Sequence, residues 1–137
     1  MTLPRVYICS PNKHATVTRA LLKQATEAGF EAVSAITHTD QTLTEQGIFQ
    51  RNVELIRSSL FFVAVLLDYG KDLTAEVGMA YAWGKPSVGL NYNALSSDVM
   101  SYYALDDIVP PESFSEVLEC WHDHYGWNEP IVPNEDG

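Results

Sequence analysis

The chain has 137 residues, 46% of them hydrophobic and 19% charged, enough for one globular domain, residues 1–137, with a real core. Eight basic against 18 acidic residues leave a net charge of −10, which argues against nucleic acid or an anionic membrane as partner, because phosphate surfaces require a basic face. No apolar run is long enough to cross a bilayer, and "MTLPRVYICSP" lacks the charged-then-apolar order of a signal peptide, so the expected compartment is the cytoplasm.

"RVYIC" (5–9) is short, β-branched and apolar, and reads as a buried strand broken by "SPNK". A helix follows from His14, with Val17, Leu21, Gln24, Ala25 and Ala28 at helical spacing and Gly29 as its C-terminal stop. "FEAVSAI" (30–36) reads as strand two and "THTDQTLTEQ" as a polar loop. Residues 47–59 set Ile48, Val53 and Ile56 on one helical face. "LFFVAVLL" (60–67) is apolar throughout, the mark of a central parallel strand covered on both faces. Helix three spans Asp72 to Trp83 and is stopped by Gly84 and Pro86. "SVGLNY" is strand four, "SSDVMSYYAL" a short helix or loop, and "DIV" strand five. Residues 111–126 form the last helix, with Pro111 in its first turn. The tail from Trp127 mixes prolines and acids with Ile131 and Val132, which suit packing against a surface.

Alternating strands and short-linked helices mean βαβ units. Five strands predict an α/β, flavodoxin-like three-layer sandwich with a parallel sheet and a ligand crevice at the carboxyl ends of the strands. Cys9 and Cys120 lie far apart without metal-ligand spacing and read as buried free thiols. His122 and His124, two apart on a helix, point about 200° from each other, so one face cannot use both for a metal. The expected metal content is none.

One residue does not fit its surroundings. Glu76 stands among Ala75, Val77, Gly78, Met79 and Ala80, just after the central strand. Counted from Asp72 as N-cap, it comes one position too late for a capping box. A first-turn surface glutamate favoured by the helix dipole is one explanation. The small neighbours, with Met79 and Ala80 a turn later, suit the other: a carboxylate at the floor of a crevice.

The segment "FFVAVLLDYGKDLTAEVGMAYAWGKPSVGL" resembles the nucleoside 2-deoxyribosyltransferases, whose signature is an acidic loop followed by a helix "E-x-G-x-A-x-x-x-G-K". Here those positions are Glu76, Gly78, Ala80, Gly84 and Lys85. "VYICSP" (6–11) is similar to the family's first strand and substrate loop, where Tyr7 and Ser10 fall. Residues 52–67 and "SSDVMSYYALDDIV" (96–109) extend the likeness to about three quarters of the chain.

The resemblance implies that Glu76 is a nucleophile attacking C1′ of a 2′-deoxyribonucleoside, with no cofactor. A second base then displaces the enzyme from the covalent deoxyribosyl intermediate, and two inversions give net retention. An acid must protonate the leaving base. The family's aspartate six residues before the nucleophile is Gly70 here, which leaves Asp72 as first choice and Asp68 in reserve; Asp72 equally fits a plain N-cap. Asn52 replaces a family carboxylate that faces the sugar, and an amide can hydrogen-bond there but not act as a base. Asp98 and Met100 fall on the family's "N-x-M" segment, which a neighbouring subunit contributes, so the resemblance implies a homo-oligomer. Asp98 would accept from a 5′-hydroxyl and repel a 5′-phosphate, which favours nucleosides and nucleobases over nucleotides; as an N-cap after Ser97 it needs no such role. Tyr7, Phe49 and Tyr81 can stack on a base or simply pack in the core. His38 and Asp40 sit in the loop after strand two, near the expected crevice mouth. The alternative activity is a nucleoside or nucleoside 5′-monophosphate N-glycosidase, with water as acceptor. A non-catalytic nucleotide-sensing domain is a third reading.

Overall fold

The structure, a computed structural model, describes residues 3–125; the predicted tail from Trp127 lies outside them. Five strands, β1 (Arg5–Cys9), β2 (Glu31–Val33), β3 (Phe61–Leu66), β4 (Ser87–Asn91) and β5 (Asp107–Val109), form one all-parallel sheet in the order β2-β1-β3-β4-β5. That order reverses direction between β1 and β3, the switch point of a flavodoxin-like fold. β3 is buried at all six positions, as an uninterrupted apolar run requires of a strand covered on both faces.

The period-2 alternation of the strands divides the core. Val6, Ile8, Phe61, Val63 and Val65 face one layer, with Leu21 and Ala25 of α1 (Ala15–Glu27) and Phe114, Leu118 and Trp121 of α6 (Phe114–Tyr125). Tyr7, Cys9, Phe62, Ala64 and Leu66 face the other. There they meet Leu55 and Ile56 of a long helix, Glu45–Arg57, and Leu73, Val77 and Ala80 of the helix that follows β3, Lys71–Ala82. Gly89 of β4 lies close beneath this layer: a Cβ there would stand 2.8 Å from Leu105 Cδ1 and 2.9 Å from Leu66 Cδ1. A larger residue there would have to push the ends of these two leucine side chains aside.

The predicted second strand is shorter than its sequence suggests. It ends at Val33, and buried Ser34 caps a one-turn helix, α2 (Ala35–His38), by accepting from Thr37 N–H. A serine hydroxyl that satisfies a free helical N–H outcompetes strand pairing for the next residues. The long helix, now α3 (Glu45–Arg57), starts two residues earlier than predicted because Thr44 accepts from Gly47 N–H. The helix after β3, α4 (Lys71–Ala82), has Gly70 as its N-cap, so Asp72 is not the cap and Glu76 falls at the sixth helical position. Gly84, at φ 64, ends α4 as expected: its N–H bonds Tyr81 O and the next N–H, of Lys85, bonds Ala80 O. Gly29, at φ 97, ends α1 in the same manner. Residues 99–104 form a short helix, α5 (Val99–Ala104), packed on α4. Among the described residues no helix is long and apolar enough to cross a membrane.

Candidate active site

A cleft of about 620 Å³ opens where the switch point predicts, between the loop after β1 and the loop that leads from β3 into α4. Its floor carries Tyr7, Cys9 and Glu76. A second lobe of about 370 Å³ runs between α3 and α4, with Phe49 and Met79 on its walls. Ile48, Asn52, Asp72 and Glu76 line both spaces, so Glu76 stands where the two lobes meet. The small-residue pattern around it is only partly a cleft wall. Ala75 and Met79 share its face, whereas Ala80, expected beside it, turns into the core.

Glu76 is half-buried, and its Oε1 accepts from the Tyr7 hydroxyl at 2.7 Å and the Cys9 thiol at 3.3 Å. Burial pushes the Glu76 carboxyl above its ordinary value; the two donors oppose that shift and the nearby Asp72 charge adds to it. Burial also pushes the Tyr7 phenol and the Cys9 thiol far up, so both remain protonated donors around neutral pH. Tyr7 is 1% exposed and its ring stacks on Phe62, which removes it from the candidates for stacking on a base. Its contribution to the cleft is the hydroxyl.

The raised carboxyl has a consequence for stability. Folded Glu76 holds its proton to higher pH than unfolded Glu76, so the native state binds more protons across that window and stability falls as pH rises through it. Below the unfolded value both states are protonated and the penalty is absent. Glu76→Gln keeps an acceptor for Tyr7 and removes the charge. Thermal melting should therefore show the variant more stable than wild type at neutral pH, with the difference closing in acid; a gain independent of pH would place its origin elsewhere.

The other predicted residues separate into groups. Asp72 is exposed and borders both lobes. Asp68 also borders the cleft, but it is bound on both oxygens, by Asn93 Nδ2 at 2.7 Å and by His14 Nε2 at 3.0 Å. The Asn93 hydrogen bond, followed by His14, holds its carboxyl below the ordinary value. Asp68 adopts φ 47, the left-handed region that aspartate tolerates, and its N–H reaches Asn93 Oδ1 at 2.9 Å. Asn52 accepts from Thr39 Oγ1 at 2.6 Å, which orients its amide at the lobe junction. Ser10 lines the cleft with its hydroxyl bonded to that of buried Thr18.

Asp98 and Met100 do not join Glu76 within one chain. They line a neighbouring cleft of about 440 Å³ with Tyr69 and Thr74, which shares Gly70 and Lys71 with the Glu76 cleft, and Asp98 accepts from the Tyr69 hydroxyl at 2.6 Å. Asp98 occupies the N-cap position of α5 without a capping hydrogen bond. Tyr81, His38 and Asp40 do not line the Glu76 cleft; Asp40 binds Thr42 instead. Lys85 is structural: its Nζ donates to the Arg57 carbonyl at the end of α3. Cys9 is buried, but Cys120 is exposed, against the expectation of two buried thiols. Cys9, which by spacing alone reads as an inert buried thiol, reaches the Glu76 carboxylate. The signal was present in the alternation of "RVYIC", which puts Tyr7 and Cys9 on one face.

No family model matches the sequence, and no curated protein matches it significantly. Solved structures do share its fold. A 2-deoxyribosyltransferase from the psychrotolerant bacterium Bacillus psychrosaccharolyticus superposes with a TM-score of 0.68 at 14% identity, over 83% of this chain and 95% of that one. A protein assigned to pilus assembly from Burkholderia thailandensis gives 0.59 at 12% identity, over 88% and 99% of the two chains. A pilus assembly-related protein from Burkholderia pseudomallei gives 0.57 at 11%, over 86% and 88%. At these identities the likeness establishes the common α/β architecture.

Proposed function

We propose that the protein is a nucleoside 2-deoxyribosyltransferase that moves 2-deoxyribose between bases by double displacement at Glu76. The fold alone does not choose this reading, since proteins assigned to pilus assembly share it. The observation that carries it is the Glu76 carboxylate, half-buried at the junction of two lobes and held by two donors on a single oxygen. A purely structural glutamate would gain nothing from burial that opposes its charge.

In the first step a Glu76 oxygen forms a bond to C1′ as the bond from C1′ to the base nitrogen breaks. The bonding pair leaves with the base, which takes up a proton. Asp72 is the proposed proton carrier, taking the proton from solvent and passing it to the base; that it borders both lobes supports this role. Asp68, whose ionised form Asn93 and His14 favour, is the poorer donor. In the second step the nitrogen of an incoming base attacks C1′ from the opposite face, returns its proton, and releases the carboxylate. Positive charge develops on the sugar in both steps, and the adjacent anion stabilises it. Asn52 offers a hydrogen bond to a sugar hydroxyl across the junction.

A neighbouring copy supplies Asp98 and Met100 in this reading. Its support is that α5 exposes Val99 (56%) and Met100 (76%), and that in their own chain Asp98 and Met100 line the adjoining cleft beyond Gly70 and Lys71 and not the one that holds Glu76. A chain that exchanges bases as a monomer would overturn that arrangement.

Incubation with deoxyinosine, with and without adenine, tests the activity. Deoxyadenosine should form, and hypoxanthine release should depend on the acceptor. Hypoxanthine released equally fast without adenine would mean hydrolysis, the N-glycosidase activity. Extending the panel to deoxynucleoside 5′-monophosphates should show them as the poorer substrates, since Asp98 would face the phosphate.

A further inference from the structure

Tyr7 and Cys9 donate to the same oxygen of Glu76. The second oxygen, Oε2, takes no hydrogen bond from the described residues, yet no side-chain nitrogen or oxygen among them is both buried and unpartnered. Oε2 is therefore open to the cleft. We infer that Cys9 is a positioning residue for the proposed displacement: its S–H anchors Oε1 and leaves Oε2 as the attacking oxygen. The inference rests on the reading of Glu76 as nucleophile.

The plain alternative is that Cys9 is a small apolar residue filling the core. Two observations oppose it, although Cys9 does lie in the core layer beneath α4. Its sulfur lies 3.3 Å from the carboxylate. Burial keeps the thiol protonated, so it donates to Glu76 rather than repelling it or competing as a nucleophile. A thiol is also a weak donor. It steadies the anion while withdrawing less charge from the attacking oxygen than a hydroxyl would.

Other charged groups face Glu76 and must be held constant in any test. Asp72 lies on its own helix, Glu45 across the smaller lobe, and Lys13, Asp68 and Lys71 around the larger one. Substituting Cys9 alone leaves all of them in place.

The experiment compares wild type, Cys9→Ala and Cys9→Ser by two readouts. The first is the pH profile of kcat/KM for base exchange. In Cys9→Ala it should fall about five- to ten-fold on the acid side and rejoin wild type as pH rises, because the carboxyl holds its proton longer. Cys9→Ser should extend activity toward acid. The second is the titration of the Glu76 side-chain carboxyl by carbon NMR in the free protein. Its midpoint should be lowest in Cys9→Ser and highest in Cys9→Ala. A pH-independent loss in Cys9→Ala, or titration midpoints that do not follow this order, would overturn the role of Cys9. If wild type itself exchanges no bases while the NMR order holds, the transferase reading fails and the thiol's hold on Glu76 stands.

Discussion

If Glu76 is the nucleophile we propose, replacing it with alanine should lower base exchange by at least about 10⁴-fold, with KM little changed, because the lost group would form the bond to the sugar rather than hold the substrate. No neighbour can take over. Tyr7 and Cys9 are protonated, and Asp68 is engaged by Asn93 and His14. Asp72 sits a turn earlier on the same helix, about 6 Å along the axis from Glu76. Glu76→Gln should be equally inactive, since an amide of the same shape is not a nucleophile. A gap-filling test separates this role from a structural one. Formate carries the missing carboxylate and fits the space left in Glu76→Ala, so it should restore part of the cleavage of a deoxynucleoside. Mass spectrometry of the wild-type protein quenched during turnover should find one deoxyribosyl group on the peptide containing Glu76. Activity in Glu76→Ala within about ten-fold of wild type would refute the mechanism outright.

Much of this architecture was legible in the sequence because its determinants are local. The run from Phe61 to Leu66 has no polar position and is strand-length, β-branched and aromatic, which suits a strand covered on both sides. Gly29 and Gly84 announce helix ends because each takes a positive φ that other residues resist. Glu76 was conspicuous for being the one charge among small and apolar neighbours. What escaped depends on contacts distant in sequence or on a single side chain. Glu76 and Tyr7 are 69 residues apart, and Asp68 meets His14 across 54 and Asn93 across 25. Their pairing follows only once β1 lies beside β3 and α4 covers that face. The Ser34 cap that ends β2 and the Gly70 cap that shifts the register of Asp72 turn on one residue each. An aspartate two places later offers an equally good cap by composition.

Tyr7→Phe should lower kcat/KM about ten- to a hundred-fold near neutral pH, the range set by losing one hydrogen bond to a charged group. The ring keeps its place against Phe62, so packing is preserved and the change isolates the hydroxyl. Without it, Oε1 retains only the weaker thiol donor, and burial raises the carboxyl further. Less of the protein carries an ionised Glu76 at a given pH, so under the proposed mechanism the acid limb of the rate profile moves up and activity recovers in base. Stability should respond with the same sign. A higher folded value widens the window in which the native state holds the extra proton, so wild type and variant should diverge in melting temperature as pH rises. They should converge in acid, where Glu76 is protonated folded or unfolded. A rate loss that is flat with pH would mean that the hydroxyl acts on the substrate and not on the nucleophile. That result would also weaken the case for Cys9, whose thiol reaches the same oxygen from the same strand face.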